Sequence, residues 1–117
     1  MSPARLRRVA PGEVAEALAR REPADERLLT KHFLAVLAER APGASVEVRV
    51  PPYAAAQVVA GVRHTRGTPP AVVETDPATW LALATGATGW AEAVAAGRVR
   101  ASGERTDLSS YLPLLEE

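Results

Sequence analysis

The sequence contains no cysteine, one lysine and one phenylalanine among its 117 residues. Because cysteine is absent, disulfide bonds, thiolate zinc sites and cysteine nucleophiles are all excluded. Neither sign of charge is in excess, since 14 basic and 14 acidic side chains give a formal net charge of zero. Proteins that hold DNA usually carry a basic excess, so we expect no nucleic-acid partner.

Long apolar runs are also missing, and none approaches the ~20 residues that span a bilayer. The first segment is interrupted by Pro3, Arg5 and Pro11, so it lacks the apolar core of a secretion signal. We therefore expect a cytoplasmic protein with no stable membrane insertion. A chain of 117 residues is long enough for one domain with one core.

Helical periodicity dominates residues 11–42, which we interpret as the N-terminal helices. Residues 1–10 before them are basic, show no period and are predicted to be loosely ordered. A short first helix precedes a second one, which Asp25 is predicted to cap and which runs to Arg40. Its apolar stripe follows the i, i+4, i+7, i+8 spacing of an amphipathic helix and consists of Leu29, Phe33, Val36 and Leu37.

Alternation with period two predicts strands in the middle of the chain. Valine occupies every second position of Val46–Val50, with Glu47 and Arg49 between. The segment Ala54–Ala60 is predicted to return beside this strand, and its side chains are mostly small or β-branched. After a loop rich in glycine, proline and threonine, Val72–Val73 is predicted to form a short third strand.

Residues typical of helix starts and ends predict two helices in the C-terminal part of the chain. Asp76 followed by proline predicts a helix start, and Gly86 predicts its end. A second short helix is predicted to end at Gly97, with Trp90, Ala93 and Val94 facing inward.

The last predicted elements are a strand over residues 98–102 and a terminal helix capped by Asp107. Neighbouring strands with helices segregated around them indicate an α+β fold. We predict helices packed on a small, twisted, mainly antiparallel sheet. The apolar stripe of the terminal helix is predicted to be Leu108, Tyr111, Leu112 and Leu115. Because Pro113 lies within this stripe, the helix is predicted to be short or kinked.

Two runs in the C-terminal half, Asp76–Gly86 and Trp90–Gly103, resemble the core pattern of the sterol carrier protein type 2 superfamily. That pattern is an aspartate-capped helix, a glycine, a second short helix, a Gly-basic-apolar stretch closed by another glycine, and a leucine-rich end. The segment Arg63–Pro70 resembles the actinobacterial sterol carrier family proteins. The resemblance covers about residues 45–115.

The resemblance implies one sterol-carrier-like domain over residues 1–117, with an apolar tunnel between the helices and the sheet. It implies a non-catalytic carrier without a cofactor, whose partner is an apolar small molecule such as a fatty acid, an acyl-CoA or a sterol-like lipid. The residues expected to line the tunnel are Val48, Val50, Ala56, Val58, Trp80, Leu83, Trp90, Leu112 and Leu115.

The loop before the third strand concentrates hydrogen-bond donors that could hold a carboxylate or phosphate headgroup. The alternative is a solvated loop in which Arg66 pairs with a nearby carboxylate, such as that of Glu74 or Asp76. The candidate headgroup contacts are Arg63, His64, Thr65, Arg66 and Thr68.

Two other functions stay open at this point. The same apolar residues would also make a filled core, and the chain would then be an interaction or accessory module, with a homo-oligomer as one form of it. An enzyme acting on an anionic substrate through Arg63–Thr68 is the third. With two histidines and no cysteine we expect no metal site. No nucleophile-elbow pattern surrounds Ser109 or Ser110, so no catalytic residue is predicted.

Overall fold

The computed structural model describes residues 6–61 and 71–115. Two helices come first, three strands follow, two further helices intervene, and a last strand precedes a single 3-10 turn. The elements are α1 (Pro11–Arg20), α2 (Pro23–Arg40), β1 (Val46–Val50), β2 (Ala54–Val58), β3 (Ala71–Thr75), α3 (Pro77–Thr85), α4 (Trp90–Ala95), β4 (Val99–Ser102) and the turn Ser109–Tyr111.

The described strands form one mixed sheet in the order β2-β1-β3-β4. β1 pairs antiparallel with β2, and β3 pairs antiparallel with β4. The central pair, β1 and β3, is parallel. The prediction of an α+β fold is confirmed, and two of the three pairings are antiparallel, in keeping with a mainly antiparallel sheet.

The core lies between the helices and one face of the sheet. Val46, Val48 and Val50 are each 0% exposed, while Arg49 on the opposite face is exposed. This alternation follows from the period-two side-chain direction of a strand, as predicted. Because the valines point inward along β1, the middle of the sheet is buried on one face only.

Helix α2 runs through the centre of the helical layer and packs against α1, α3 and β2. Its predicted stripe is confirmed, because Leu29, Phe33, Val36 and Leu37 are all 0–1% exposed. The prediction that Asp25 is the N-cap is wrong, since Glu22 holds that position and Asp25 lies in the first turn. There the Asp25 carboxylate accepts bonds from Arg20 Nη2 at 2.9 Å and from the Glu22 backbone N–H at 3.1 Å.

Asp76 caps α3 as predicted. Its carboxylate oxygens accept bonds from the Thr79 backbone N–H and from the Thr79 hydroxyl, each at 2.8 Å. Gly86 ends the helix with a positive φ of 83°, a conformation that glycine adopts without strain. The cap fixes where the chain leaves β3 and enters α3.

Replacing Asp76 with alanine is expected to lower the free energy of unfolding by about 1 kcal/mol, because it removes this cap. Burial disfavours the Asp76 carboxylate, but the bonds from Thr79 outweigh burial and lower its pKa. The advantage of the wild type is therefore full at neutral pH and declines as the pH falls below about 4, towards the lowered folded-state value. Urea denaturation at several pH values measures this. An Asp76→Ala penalty that grew at acid pH would contradict it.

One C-terminal prediction is wrong, and another is confirmed only in part. Val94 does not face inward on α4, since it is 42% exposed and only Ala93 of that helix is buried. The terminal helix is reduced to the turn Ser109–Tyr111, because Pro113 cannot continue a helix. Leu114, whose N–H donates to the Ala84 carbonyl at 2.7 Å, is buried instead, and Leu115 is 43% exposed.

Candidate ligand-binding site

The structure brings six of the nine predicted tunnel residues together in the core. β1 and β2 present theirs on the same face of the sheet, and α3 supplies the other two. Their exposed fractions are at most 8%. Side chains with almost no accessible surface border no void that admits water, so these residues pack against their neighbours. The six are Val48, Val50, Ala56, Val58, Trp80 and Leu83.

The other three predicted tunnel residues lie at the margin. Trp90 and Leu112 are half-buried and pack against the core. Leu115 is exposed on the outside of the helical layer, where it borders a crevice. The candidate headgroup residues Arg63, His64, Thr65, Arg66 and Thr68 lie outside the described residues.

An apolar opening in the described surface lies between α1, α2 and the two ends of the described chain. We call this opening the N-terminal crevice. Its volume is about 180 Å³. Its lining is mainly aliphatic and aromatic, and comprises Arg8, Val9, Pro11, Val14, Ala15, Leu18, His32, Phe33 and Leu115.

His32 is the buried polar side chain of this crevice. Its Nδ1 accepts a hydrogen bond from the Val9 backbone N–H at 2.9 Å, so the proton of the neutral ring is on Nε2. The imidazole meets the Phe33 ring edge-on, with 5.0 Å between the ring centroids. Burial and the nearby charge of Arg8 lower the pKa of His32, although Glu39 opposes them. The neutral form is thus the one that fits the crevice.

A second, charged cleft lies where β1 and β3 end and β4 begins. Its volume is about 330 Å³, and two of its polar side chains already stabilise the fold. The Asp76 carboxylate caps α3, and the Thr75 hydroxyl donates to the Arg98 carbonyl at 2.8 Å. An apolar ligand does not suit this lining, which consists of Pro51, Glu74, Thr75, Asp76, Gly97, Arg98 and Arg100.

The sequence predicted that some residues of the N-terminal crevice are apolar positions of helices, but it did not predict the crevice itself. Val14 and Leu18 are four residues apart, a spacing typical of one helical face, and Phe33 belonged to the predicted stripe of α2. The contribution of His32 and the approach of Val9 to it had no local signal, because the two residues are 23 positions apart. Only tertiary packing places them in contact.

Residues 6–61 and 71–115 contain neither a metal-binding cluster nor a membrane-spanning helix. Within these ranges no three carboxylates or imidazoles come together in a group that could hold a metal ion. None of the helices in the same ranges has the length and apolar character required to cross a bilayer.

Helices packed on one face of a mixed sheet, with an apolar core and an apolar crevice, define a small α+β protein. A family model described as bacterial SCP ortholog, SCP being sterol carrier protein, matches residues 20–114. Because this match covers well over half of the chain, the protein belongs to that family. No curated protein matches the chain.

Proposed function

We propose that this protein binds an apolar ligand, of the fatty acyl or sterol-like kind, and carries it without catalysing a reaction. The observation that carries the proposal is the open apolar crevice beside α2 in a member of the sterol carrier family. The ligand enters where Val14, Leu18 and Leu115 border the crevice. No cofactor takes part in this function.

The size of the crevice defines how much ligand it accepts in this conformation. Its volume of about 180 Å³ is smaller than the ~300–1,000 Å³ of usual small-molecule sites. The crevice therefore holds one end of a long acyl chain. Deeper entry needs α2 to separate from the core residues Val48, Val58 and Trp80. Burial contributes about 0.8 kcal/mol per methylene, so ten methylenes contribute roughly 8 kcal/mol before association costs.

The closed core favours a second candidate function. Val48, Val50 and Val58 are 0% exposed, so the predicted tunnel lining is filled by the chain itself. A filled core is what an accessory or interaction module needs, and such a module would bind a partner protein or a second copy. Its sign would be a concentration-dependent oligomer in light scattering.

Titration with cis-parinaric acid, a fluorescent fatty acid, tests the carrier proposal directly. We expect a saturable signal that unlabelled oleate reverses. Leu115→Asp should weaken binding about ten- to hundredfold, because a lost leucine contact costs about 1.5–3 kcal/mol. Val94→Asp is the matched control, since Val94 is 42% exposed and Leu115 43%, but only Leu115 borders the crevice.

Three results would count against the proposal. Absence of a saturable signal removes the carrier function, and if an oligomer is found in the same sample the interaction module takes its place. Equal weakening by Leu115→Asp and Val94→Asp places the ligand elsewhere than the N-terminal crevice. Native mass spectrometry of protein purified from cells should also show a bound lipid, and bare protein would argue against a carrier.

A further inference from the structure

Residues 6–10, which we call the N-terminal strap, are irregular in conformation but are held by packing against the core and by two contacts with α2. Leu6 and Val9 pack against the core. The Val9 N–H donates to His32 Nδ1 at 2.9 Å, and Arg8 Nη1 lies 3.3 Å from Glu39 Oε1. The strap also forms one wall of the N-terminal crevice through Arg8 and Val9. Whatever releases the strap therefore opens that wall.

The bond between the strap and His32 exists in only one protonation state. A neutral imidazole has one nitrogen that accepts, but a protonated imidazole carries N–H groups on both nitrogens and accepts nothing. Protonation would place two donors, the Val9 N–H and the new Nδ1–H, against each other. His32 is 6% exposed, so water does not compensate for the charge in the closed position.

The surroundings of His32 are asymmetric in charge. Arg8 on the strap repels the protonated ring and Glu39 on α2 attracts it, and burial adds to the effect of Arg8. The crevice residues that α1 and the C-terminal segment contribute, among them Val14, Leu18 and Leu115, are uncharged. The lowered pKa of His32 is consistent with this arrangement. Docking of the strap is thus fully favoured above the ordinary pKa of about 6.5 and is lost as the pH falls towards the lowered value.

We propose that His32 is a pH-controlled latch, which holds the N-terminal strap on α2 when it is neutral and releases it when it is protonated. Release removes Arg8 and Val9 from the wall of the N-terminal crevice and exposes Phe33 beneath them. The latch depends on contacts within the chain and stands whether or not a ligand binds. Its effect on ligand entry rests on the proposed function.

Nuclear magnetic resonance of the isotope-labelled full chain tests the latch without any ligand. A titration from about pH 8 to about pH 4.5 follows the His32 ring nitrogens and the Val9 amide together. At high pH we expect the Nε2–H tautomer and a Val9 amide protected from exchange. On protonation of His32 we expect the protection factor of Val9 to fall about tenfold, as for the loss of one hydrogen bond. The two changes should share one midpoint, below pH 6.5.

His32→Asn is the matched variant, because its amide oxygen can accept the Val9 N–H near the position of Nδ1 and does not titrate in this range. It should keep Val9 protected at low pH, whereas His64→Gln, which removes the other histidine, should behave as the wild type. Loss of protection at the same pH in His32→Asn would assign the release to the Arg8–Glu39 pair and overturn the latch. In the wild type, the latch would also be overturned if His32 protonation and the loss of Val9 amide protection had different pH midpoints. This comparison tests the latch even if the asparagine variant does not dock the strap.

Discussion

Trp80→Ala is expected to lower the free energy of unfolding by about 3–5 kcal/mol, the cost of truncating a large buried aromatic side chain. Trp80 is 1% exposed and lies on α3, and its indole Nε1 donates to the Thr30 carbonyl of α2 at 3.2 Å. One side chain thus joins the two helices that cover the sheet. A domain of this size is usually stable by about 5–15 kcal/mol, so the variant loses a large part of its stability. Urea denaturation followed by circular dichroism measures the loss.

Two control variants test whether the loss of stability comes from the central position of Trp80 or would follow from removing any tryptophan. Trp90→Ala should cost only about 1–2 kcal/mol, because Trp90 is half-buried at the margin of the core. Trp80→Phe should fall between the two, since it keeps an aromatic ring and loses the bond to Thr30. Equal losses in Trp80→Ala and Trp90→Ala would show that Trp80 does not have the central packing role described here.

Gly43→Ala is expected to destabilise the fold by about 3 kcal/mol or more, through backbone strain and overpacking together. Gly43 has a φ of 147°, and a Cβ added to it would lie 2.3 Å from the carbonyl carbon and oxygen of Val59. Those atoms belong to the backbone and cannot rotate away. The chain would have to separate where the Ser45 N–H donates to the Val59 carbonyl at 3.0 Å and the Val59 N–H donates to the Ala41 carbonyl at 2.7 Å.

Gly12→Ala is the matched control for this substitution. Gly12 lies in the first turn of α1, and an added Cβ would meet no atom within 4 Å. Alanine suits a helix better than glycine, so this variant should match or exceed the wild type by up to about 1 kcal/mol. Thermal unfolding of both variants provides the comparison. If Gly43→Ala proved as stable as Gly12→Ala, the close approach of residue 43 to Val59 would have no energetic importance.

The bond between Val9 and His32 and the close approach of Gly43 to Val59 both depend on contacts between distant parts of the chain. His32 lies one residue before the apolar stripe residue Phe33, and the sequence alone predicted no chemistry for it. Its role arises because the strap returns 23 residues along the chain to donate a bond to it. Gly43 in turn lies shortly after the end of α2, whereas its close neighbour Val59 follows β2.

Several elements were determined by the sequence itself. Periodicity along the chain predicted the buried face of α2 and the alternating strand Val46–Val50, and the Asp76 cap followed from an aspartate–proline pair. These predictions succeeded because side-chain direction repeats every 3.6 residues in a helix and every two in a strand. The cap of α2 was not predicted correctly, because Glu22 holds the N-cap position and Asp25 lies in the first turn. At the C-terminal end, Pro113 reduces the terminal helix, predicted to be short or kinked, to a single 3-10 turn.

Tertiary structure alone decided the rest. Nothing local to β1 or β3 specifies that they pair in parallel at the centre of the sheet, because strand partners are selected by packing across the whole core. The same packing closed the predicted tunnel lining around Val48 and Trp80 and left an apolar opening between α1 and α2. Whether apolar residues form a filled core or border a cavity depends on how distant segments meet. Composition and spacing are the same in both cases, so the sequence by itself cannot distinguish them.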